Sequence, residues 1–297
     1  MSGRLILGTV QLGQIYGIAN ATGKPEQCEA DAIVRTALRG GIKYFDTAQG
    51  YGNSEFVLKK ALQHSGASDT VHIITKLSPS LPMDVAGLRA SIIQSLSCLG
   101  VKRLYCLMLH RQEQIALLDS WQGEVIEEFL LRGGSEHIGI SVYTPEAALR
   151  ALTHRLISVV QIPASLFDRR FEAAGVFDEA FKQNKELHIR SIFLQGVMGL
   201  ASEQLPSGLH GLAPALTELR QICARFDFSP LQLALGWMLQ RYPHARLVFG
   251  AERSEQVQQN LDFAAQSASL PEVLYRELES VLPPQIPELL NPALWRR

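Results

Sequence analysis

Along the chain, short runs of β-branched and other apolar residues alternate with longer stretches whose apolar residues recur at helical spacing. The runs are LILGTV (5–10), KYFDTA (43–48), VHIITK (71–76), RLYCLMLH (103–110), HIGISVY (137–143), SVVQIP (158–163), HIRSIF (188–193) and ARLVFG (245–250). Their near-continuous apolar character is that of strands covered on both faces, as in a parallel sheet whose crossovers are helices. The intervening segments carry helix boundaries. CEADAIVRTALRGG (28–41) ends on glycines, and DVAGLRASIIQSLSCLG (84–100) opens on an aspartate cap and stops at Gly100. SEFVLKKALQHSG, LLDSWQGEVIEEFLLRGG, TPEAALRALTH and SPLQLALGWMLQR read the same way.

About eight strands alternating with about eight helices is the count of a closed parallel (β/α)8 TIM barrel. An open doubly wound sheet is the main alternative. Against it, the first strand runs into LGTVQLG rather than GxGxxG, and no acidic residue follows at the expected distance. Neither a linker nor a low-complexity segment divides the chain, so residues 1–297 are expected to form one barrel domain. The proline-rich LPPQIPELLNPALW belongs to an expected C-terminal extension, about 270–297, packed back on the body. The chain enters its first strand directly, with little or no N-terminal hairpin expected.

Composition narrows the function classes. Apolar residues make up 46%, charged residues 19%, and the net charge is -1, which suits a soluble protein with a large core. No basic excess points to nucleic acid or to an anionic membrane surface. Without an apolar run near the roughly 18 residues of a membrane span, and with too short an apolar N-terminus for a signal peptide, a cytoplasmic location is expected. Cys28, Cys98, Cys106 and Cys223 show no CxxC pairing, and the histidines lack ligand spacing, so reduced thiols and no metal are expected.

Candidate chemistry gathers where strands end, because the loops of a barrel converge there on one mouth. Asp46 ends the second run with Tyr51 just beyond, Lys76 ends the third, and His110 ends the fourth. Each type is common at element ends and singly signifies little. A lysine closing an apolar strand next to an aspartate-bearing one, with a phenol and an imidazole beside them, is a set.

That set resembles the catalytic tetrad of the aldo-keto reductase family, in its bacterial type. The resemblance rests on LGT near the start, FDTAQGYGNSE, ITK, LMLH, GIS, QIPASLFDRR, FLQG and GAERSEQVQQN, over nearly the whole chain. FDTAQGYGNSE is the specific signal; GIS alone carries nothing. The family fold is a (β/α)8 barrel, and its reaction implies NAD(P)H-dependent reduction of an aldehyde or ketone to an alcohol. Hydride transfer leaves negative charge on oxygen, which a proton donor must meet. Tyr51 is then the general acid, Lys76 the cation that lowers the phenol pKa towards working pH, Asp46 the partner that fixes Lys76, and His110 the group that orients the carbonyl oxygen.

The resemblance implies NADPH as the default cofactor, with NADH as the alternative, extended across the barrel mouth. Thr9 and Asp46 would approach the nicotinamide ribose, and Ser141 and Gln161 the carboxamide. Arg190 stands where relatives stack a tyrosine on the nicotinamide, and a cation there would favour the reduced, neutral ring. Ser191, Phe193, Gln195 and Gly196 match the stretch that wraps the pyrophosphate. In the distal motif, which Gly250 opens, Arg253, Gln256 and the helix terminus near Ser254 are expected at the 2'-phosphate, and Gln259 and Asn260 at the adenine. Three departures stand out: Val142 replaces a usual Asn, Arg190 a usual Tyr, and Glu252 and Gln256 lie where cations are usual.

A small-molecule carbonyl substrate is expected. It would be read by QIYGIANATGKPEQ, RQEQIALLDSW, ASEQLPSGLHG and the tail, whose polar character points to a hydroxylated, sugar-like compound. Two alternatives stay open: a cofactor-binding regulatory or scaffold subunit with little turnover, and an epimerase or eliminase that uses the nicotinamide transiently. A metal-dependent hydrolase lacks the required ligands.

Overall fold

In the computed structural model, which describes residues 2–81, 84–267, 270–283 and 285–295, every expected strand forms. They are β1 (Leu5–Gly8), β2 (Tyr44–Asp46), β3 (His72–Lys76), β4 (Leu104–Leu109), β5 (Ser135–Ser141), β6 (Val159–Pro163), β7 (Glu186–Arg190) and β8 (Arg246–Gly250). All are parallel, each pairs with its sequence neighbour, and β8 returns to β1, with Leu5 opposite Leu247 and Gly8 opposite Gly250. Closure excludes the open doubly wound sheet and leaves a (β/α)8 barrel.

Several apolar runs outlast their strands. Thr9 and Val10, Thr47 and Ala48, His110, Val142 and Tyr143, and Ser191 to Phe193 lie beyond the last ladder residue and form the mouth. The longer helices outside the barrel are α1 (Gln27–Arg39), α2 (Ser54–His64), α3 (Val85–Leu99), α4 (Trp121–Leu131), α5 (Pro145–Thr153), α6 (Val176–Lys182), α7 (Ala213–Phe226), α8 (Pro230–Arg241), α9 (Ser254–Gln266) and α10 (Glu272–Ser280). Their ends obey local chemistry. Asp84 caps α3 by accepting from Gly87 N at 2.8 Å, and the left-handed Gly100, φ 68°, stops it. The segment expected to be helical from Leu117 starts later. Residues Gln112–Asp119 form a 3-10 stretch, Ser120 Oγ donates to Leu117 O at 2.7 Å, and α4 begins at Trp121.

Alternation along β3 shows how the barrel sorts its side chains. Thr75 points outward, where its hydroxyl donates to Glu55 on α2 at 2.7 Å, while Lys76 takes the interior side. Below the mouth the interior is filled by Ile6, Ile74, Cys106, Met108, Val159 and Val248. The N-terminal end is closed by side chains: Arg246 lies 3.9 Å over the Tyr44 ring, and Tyr105 Oη donates to Glu186 at 2.6 Å.

The tail returns to the body. Leu274, Leu278, Val281 and Leu290 are fully buried. Arg169, after β6, sits 4.6 Å over Trp237 of α8 and donates to the α10 carbonyls of Leu278 and Glu279 at 3.0 and 2.9 Å. Residues 284, 296 and 297 of the expected extension lie outside the described residues. Among the described residues, no helix is long and apolar enough to cross a membrane, and no cluster of three or more metal-ligating side chains occurs.

Candidate active site

Adjacent strands β2 and β3 end in the two charges. Lys76 Nζ donates to Asp46 Oδ2 at 2.6 Å and to Thr47 O at 3.1 Å, with the two side chains only 1% and 5% exposed. Gln161 on β6 donates to the other oxygen, Asp46 Oδ1, at 2.9 Å. The Asp46 carbonyl accepts from Thr9 N and Thr9 Oγ1 at 2.8 and 2.9 Å, and Thr9 Oγ1 contacts Ser54 Oγ at 2.8 Å. Every acceptor of Asp46 is therefore engaged, and the ammonium has one position. Burial opposes the charge on Lys76, but Asp46 and the neighbouring phenol outweigh it and raise its pKa.

Tyr51 leaves β2 through a turn closed by Tyr51 N on Ala48 O at 3.1 Å, and Lys76 Nζ lies 4.9 Å from its ring centre. The ring keeps part of its surface on the mouth, yet its hydroxyl is desolvated. Burial raises its pKa, Lys76 pulls it down, and burial prevails. The lysine acts in the expected direction and limits the rise, and the phenol holds its proton through neutral pH. His110 follows β4 directly, its ring 5.6 Å from that of Tyr51 and at 87° to it. Burial, followed by the Lys76 charge, lowers its pKa from 6.5 to about 4, so the imidazole is neutral at pH 7. Its Nδ1 is buried with no partner.

From this corner a cleft of about 580 Å³ runs across the mouth to α9. Thr9, Asp46, Tyr51, His110, Ser141, Gln161, Arg190, Ser191, Phe193, Gln195, Gly196, Gly250, Gln256, Gln259 and Asn260 all line it. Of the residues singled out in the sequence, Lys76 lies beneath the lining and Arg253 is exposed outside it. The expected phosphate-binding role of Arg253 and of the α9 N-terminus meets a second obstacle. Ser254 N already donates to Glu29 Oε1 of α1 at 2.6 Å. Arg190 faces the cleft with its guanidinium 4.1 Å over the Tyr143 ring, donating to Val142 O at 3.2 Å. Positive φ at Ser191, Leu194, Gln195 and Gly196 curls the loop after β7, and Ala19 N donates to Gln195 O at 3.2 Å, joining it to the loop after β1.

The lining fits an extended polar cofactor. Gln11 Oε1 and His110 Nδ1 are buried on the cleft without partners, and a Cβ at Gly250 would overlap the Gln11 amide. Hydroxyls and amides of Ser141, Ser191, Gln195, Gln259 and Asn260 follow along its length. Sequence reasoning passed over Gln11 and Tyr143, and also Trp295, which with Pro292, Tyr16, Tyr143 and Arg190 bounds a side pocket of about 160 Å³. Tyr143 directly follows Val142 in HIGISVY, which was the available signal; Trp295 belongs to the tail, expected to face the substrate as a segment but without this residue singled out. Of the expected substrate loops, RQEQIALLDSW and ASEQLPSGLHG line neither cavity.

Comparison with known proteins bears on the family and the fold. The aldo/keto reductase family model matches residues 4–282. A D-threo-aldose 1-dehydrogenase of a Pseudomonas species is 25% identical over 292 residues, covering 84% of this chain and 87% of that protein. An aldo-keto reductase of Strobilurus tenacellus is 21% identical over 288 residues, covering 87% and 82%. The holo form of an aldo-keto reductase from Bacillus halodurans superposes with a TM-score of 0.78 at 22% identity, covering 95% of this chain and 93% of that one. With the family match spanning all eight strands and the loops that form the mouth, the chain belongs to the aldo/keto reductase family and is an oxidoreductase.

Proposed function

We propose that the protein reduces an aldehyde or ketone to an alcohol with a reduced nicotinamide dinucleotide, and that Tyr51 delivers the proton. The observation that carries this reading is the buried Lys76–Asp46 pair, 2.6 Å apart, set beneath a protonated Tyr51 and beside a neutral His110. The cofactor, when bound, supplies the hydride. Negative charge then grows on the carbonyl oxygen, and the chain meets it with two donors. Tyr51 Oη gives its proton, and the Lys76 ammonium stabilises the phenolate left behind, a charge it can relieve only once the proton has moved. His110, uncharged, positions the oxygen by a hydrogen bond without competing as an acid. Asp46 and Gln161 hold the ammonium in register.

The substrate reading is a small hydroxylated carbonyl. The relative whose name makes it a dehydrogenase of D-threo-aldoses supports it. Assay of purified protein with sugar-derived aldehydes should show one reduced cofactor consumed per alcohol formed, and Tyr51→Phe should lower kcat by about 10²- to 10⁴-fold with cofactor affinity retained. Product formed with no net cofactor consumption would replace this reading by a transient-oxidation reaction.

A further inference from the structure

The end of the cleft against α9 carries charges of the wrong sign for a phosphate. In a helix start open to anions, free backbone N–H groups face the ligand. Here the N–H groups of Glu252, Arg253 and Ser254 are taken by the protein's own side chains. Gln256 Oε1 accepts from Glu252 N at 2.7 Å and from Arg253 N at 3.4 Å, and Glu29 Oε1 accepts from Ser254 N at 2.6 Å. A phosphate at this terminus would have to displace an amide and a carboxylate that already cap it.

The side chains reinforce the point. Glu252 lines the cleft, and Thr22 Oγ1 on the loop after β1 holds its Oε2 at 3.2 Å. Two carboxylates, Glu29 and Glu252, therefore flank the terminus. Of the nearby cations, Arg253 is exposed outside the cleft lining, and Lys24 donates to Asn53 Oδ1 at 2.6 Å. A dianionic phosphate placed here meets repulsion from Glu252. A hydroxyl in the same place meets a carboxylate that can accept its hydrogen, the arrangement by which acidic residues select an unphosphorylated ribose.

From the capped α9 terminus and its flanking carboxylates, we infer that this protein selects NADH over NADPH, with Glu252 as the residue that reads the ribose 2'-hydroxyl and Glu29 as a positioning residue that closes the anion site. The inference rests on the proposed dinucleotide-dependent reduction and refines its cofactor.

Equilibrium binding tests it without reference to turnover. Intrinsic tryptophan fluorescence, titrated with NADH and with NADPH, should give a Kd for NADH at least about tenfold lower, a difference of about 1.4 kcal/mol. The gap should narrow as ionic strength rises and screens the carboxylates. Glu252→Gln keeps the shape of the side chain and should tighten NADPH several-fold and weaken NADH, so that the preference for NADH narrows or reverses. Glu29→Gln, which retains an acceptor for Ser254 N, should tighten NADPH by less. Adenosine 2',5'-bisphosphate should compete with NADH more weakly than 5'-AMP does. Equal or tighter NADPH binding by the unmodified protein would overturn the inference and leave the reductase reading intact. Binding of neither dinucleotide would overturn both.

Discussion

Lys76 carries its charge where an isolated ammonium would give it up, and that single fact ties chemistry to stability. A buried ion pair adds little net stability, but removing one partner strands the other at a cost of about 3–5 kcal/mol. Lys76→Met should therefore abolish turnover and lower the melting temperature together, because Asp46 keeps Gln161 and loses its cation. Tyr51→Phe should lower kcat by the same about 10²- to 10⁴-fold with little change in melting temperature, and calorimetry beside the assay separates the two. His110 makes a pH prediction with a definite sign. Its pKa falls from 6.5 to about 4 on folding, so the unfolded chain binds the proton first and this residue's share of stability declines as pH drops from about 6.5 to about 4. Urea midpoints across that range should fall less in His110→Gln; an identical slope in both proteins would remove His110 from the account. These residues are legible in the sequence because an aspartate, a lysine and a histidine, each common at an element end, close three successive apolar strands together. Glu29 is not, since its partner Ser254 lies 225 residues away and nothing in CEADAI distinguishes a capping carboxylate from a solvated one.

Element packing explains why FDTAQGYGNSE needs its glycines and small residues. The helical turn Val10–Gly13 after β1 presses on the turn that carries Tyr51 so closely that a Cβ at Gly13 would overlap the Tyr51 carbonyl, while Gly52 turns back with φ 59° against Gly13 O. Ser54, the first residue of α2, donates to Thr9 O at 2.7 Å and accepts from Thr47 at 3.0 Å, fastening the two turns. Gly13→Ala should push the Tyr51 backbone away from Lys76 and lower kcat by about 10²-fold, as expected when a reacting group is misplaced by about 1 Å. Cofactor binding at the far end of the cleft should change little. Retention of full kcat by a folded Gly13→Ala protein would show that the turn tolerates the shift. At this scale the strand cores and the α3 caps are readable, because the period of the apolar residues and the capping side chains are local. Strand ends are less so: Val142, Tyr143 and Ile192 remain apolar beyond the ladder since the mouth loops pack inward, and periodicity cannot separate a buried loop from a buried strand.

Across the whole molecule, the tail links a distant packing contact to the mouth. Arg169 covers Trp237 and satisfies two carbonyls in the last turn of α10, groups that a helix leaves without internal partners. Gln285 continues the attachment, accepting from Arg169 N at 3.1 Å and donating to Phe167 O at 2.7 Å. Beyond it the chain carries Pro292 and Trp295 to the wall of the side pocket shared with Tyr16, Tyr143 and Arg190. FDRR is visible in the sequence only as a family signature, whereas its physical use, holding a segment more than 100 residues later, requires the fold. Arg169→Ala should remove a cation–π contact of about 1–2 kcal/mol together with two hydrogen bonds, and so release α10 from its seat first. If Trp295 forms part of the substrate wall, this variant should raise KM for the carbonyl several-fold while kcat at saturation and the Kd for the dinucleotide stay near those of the parent. Hydrogen exchange should report faster opening in 272–280 with β1 to β4 unchanged. A rise in dinucleotide Kd equal to the rise in KM would instead mean that the tail stabilises the entire mouth, and that Trp295 has no separate contact with substrate.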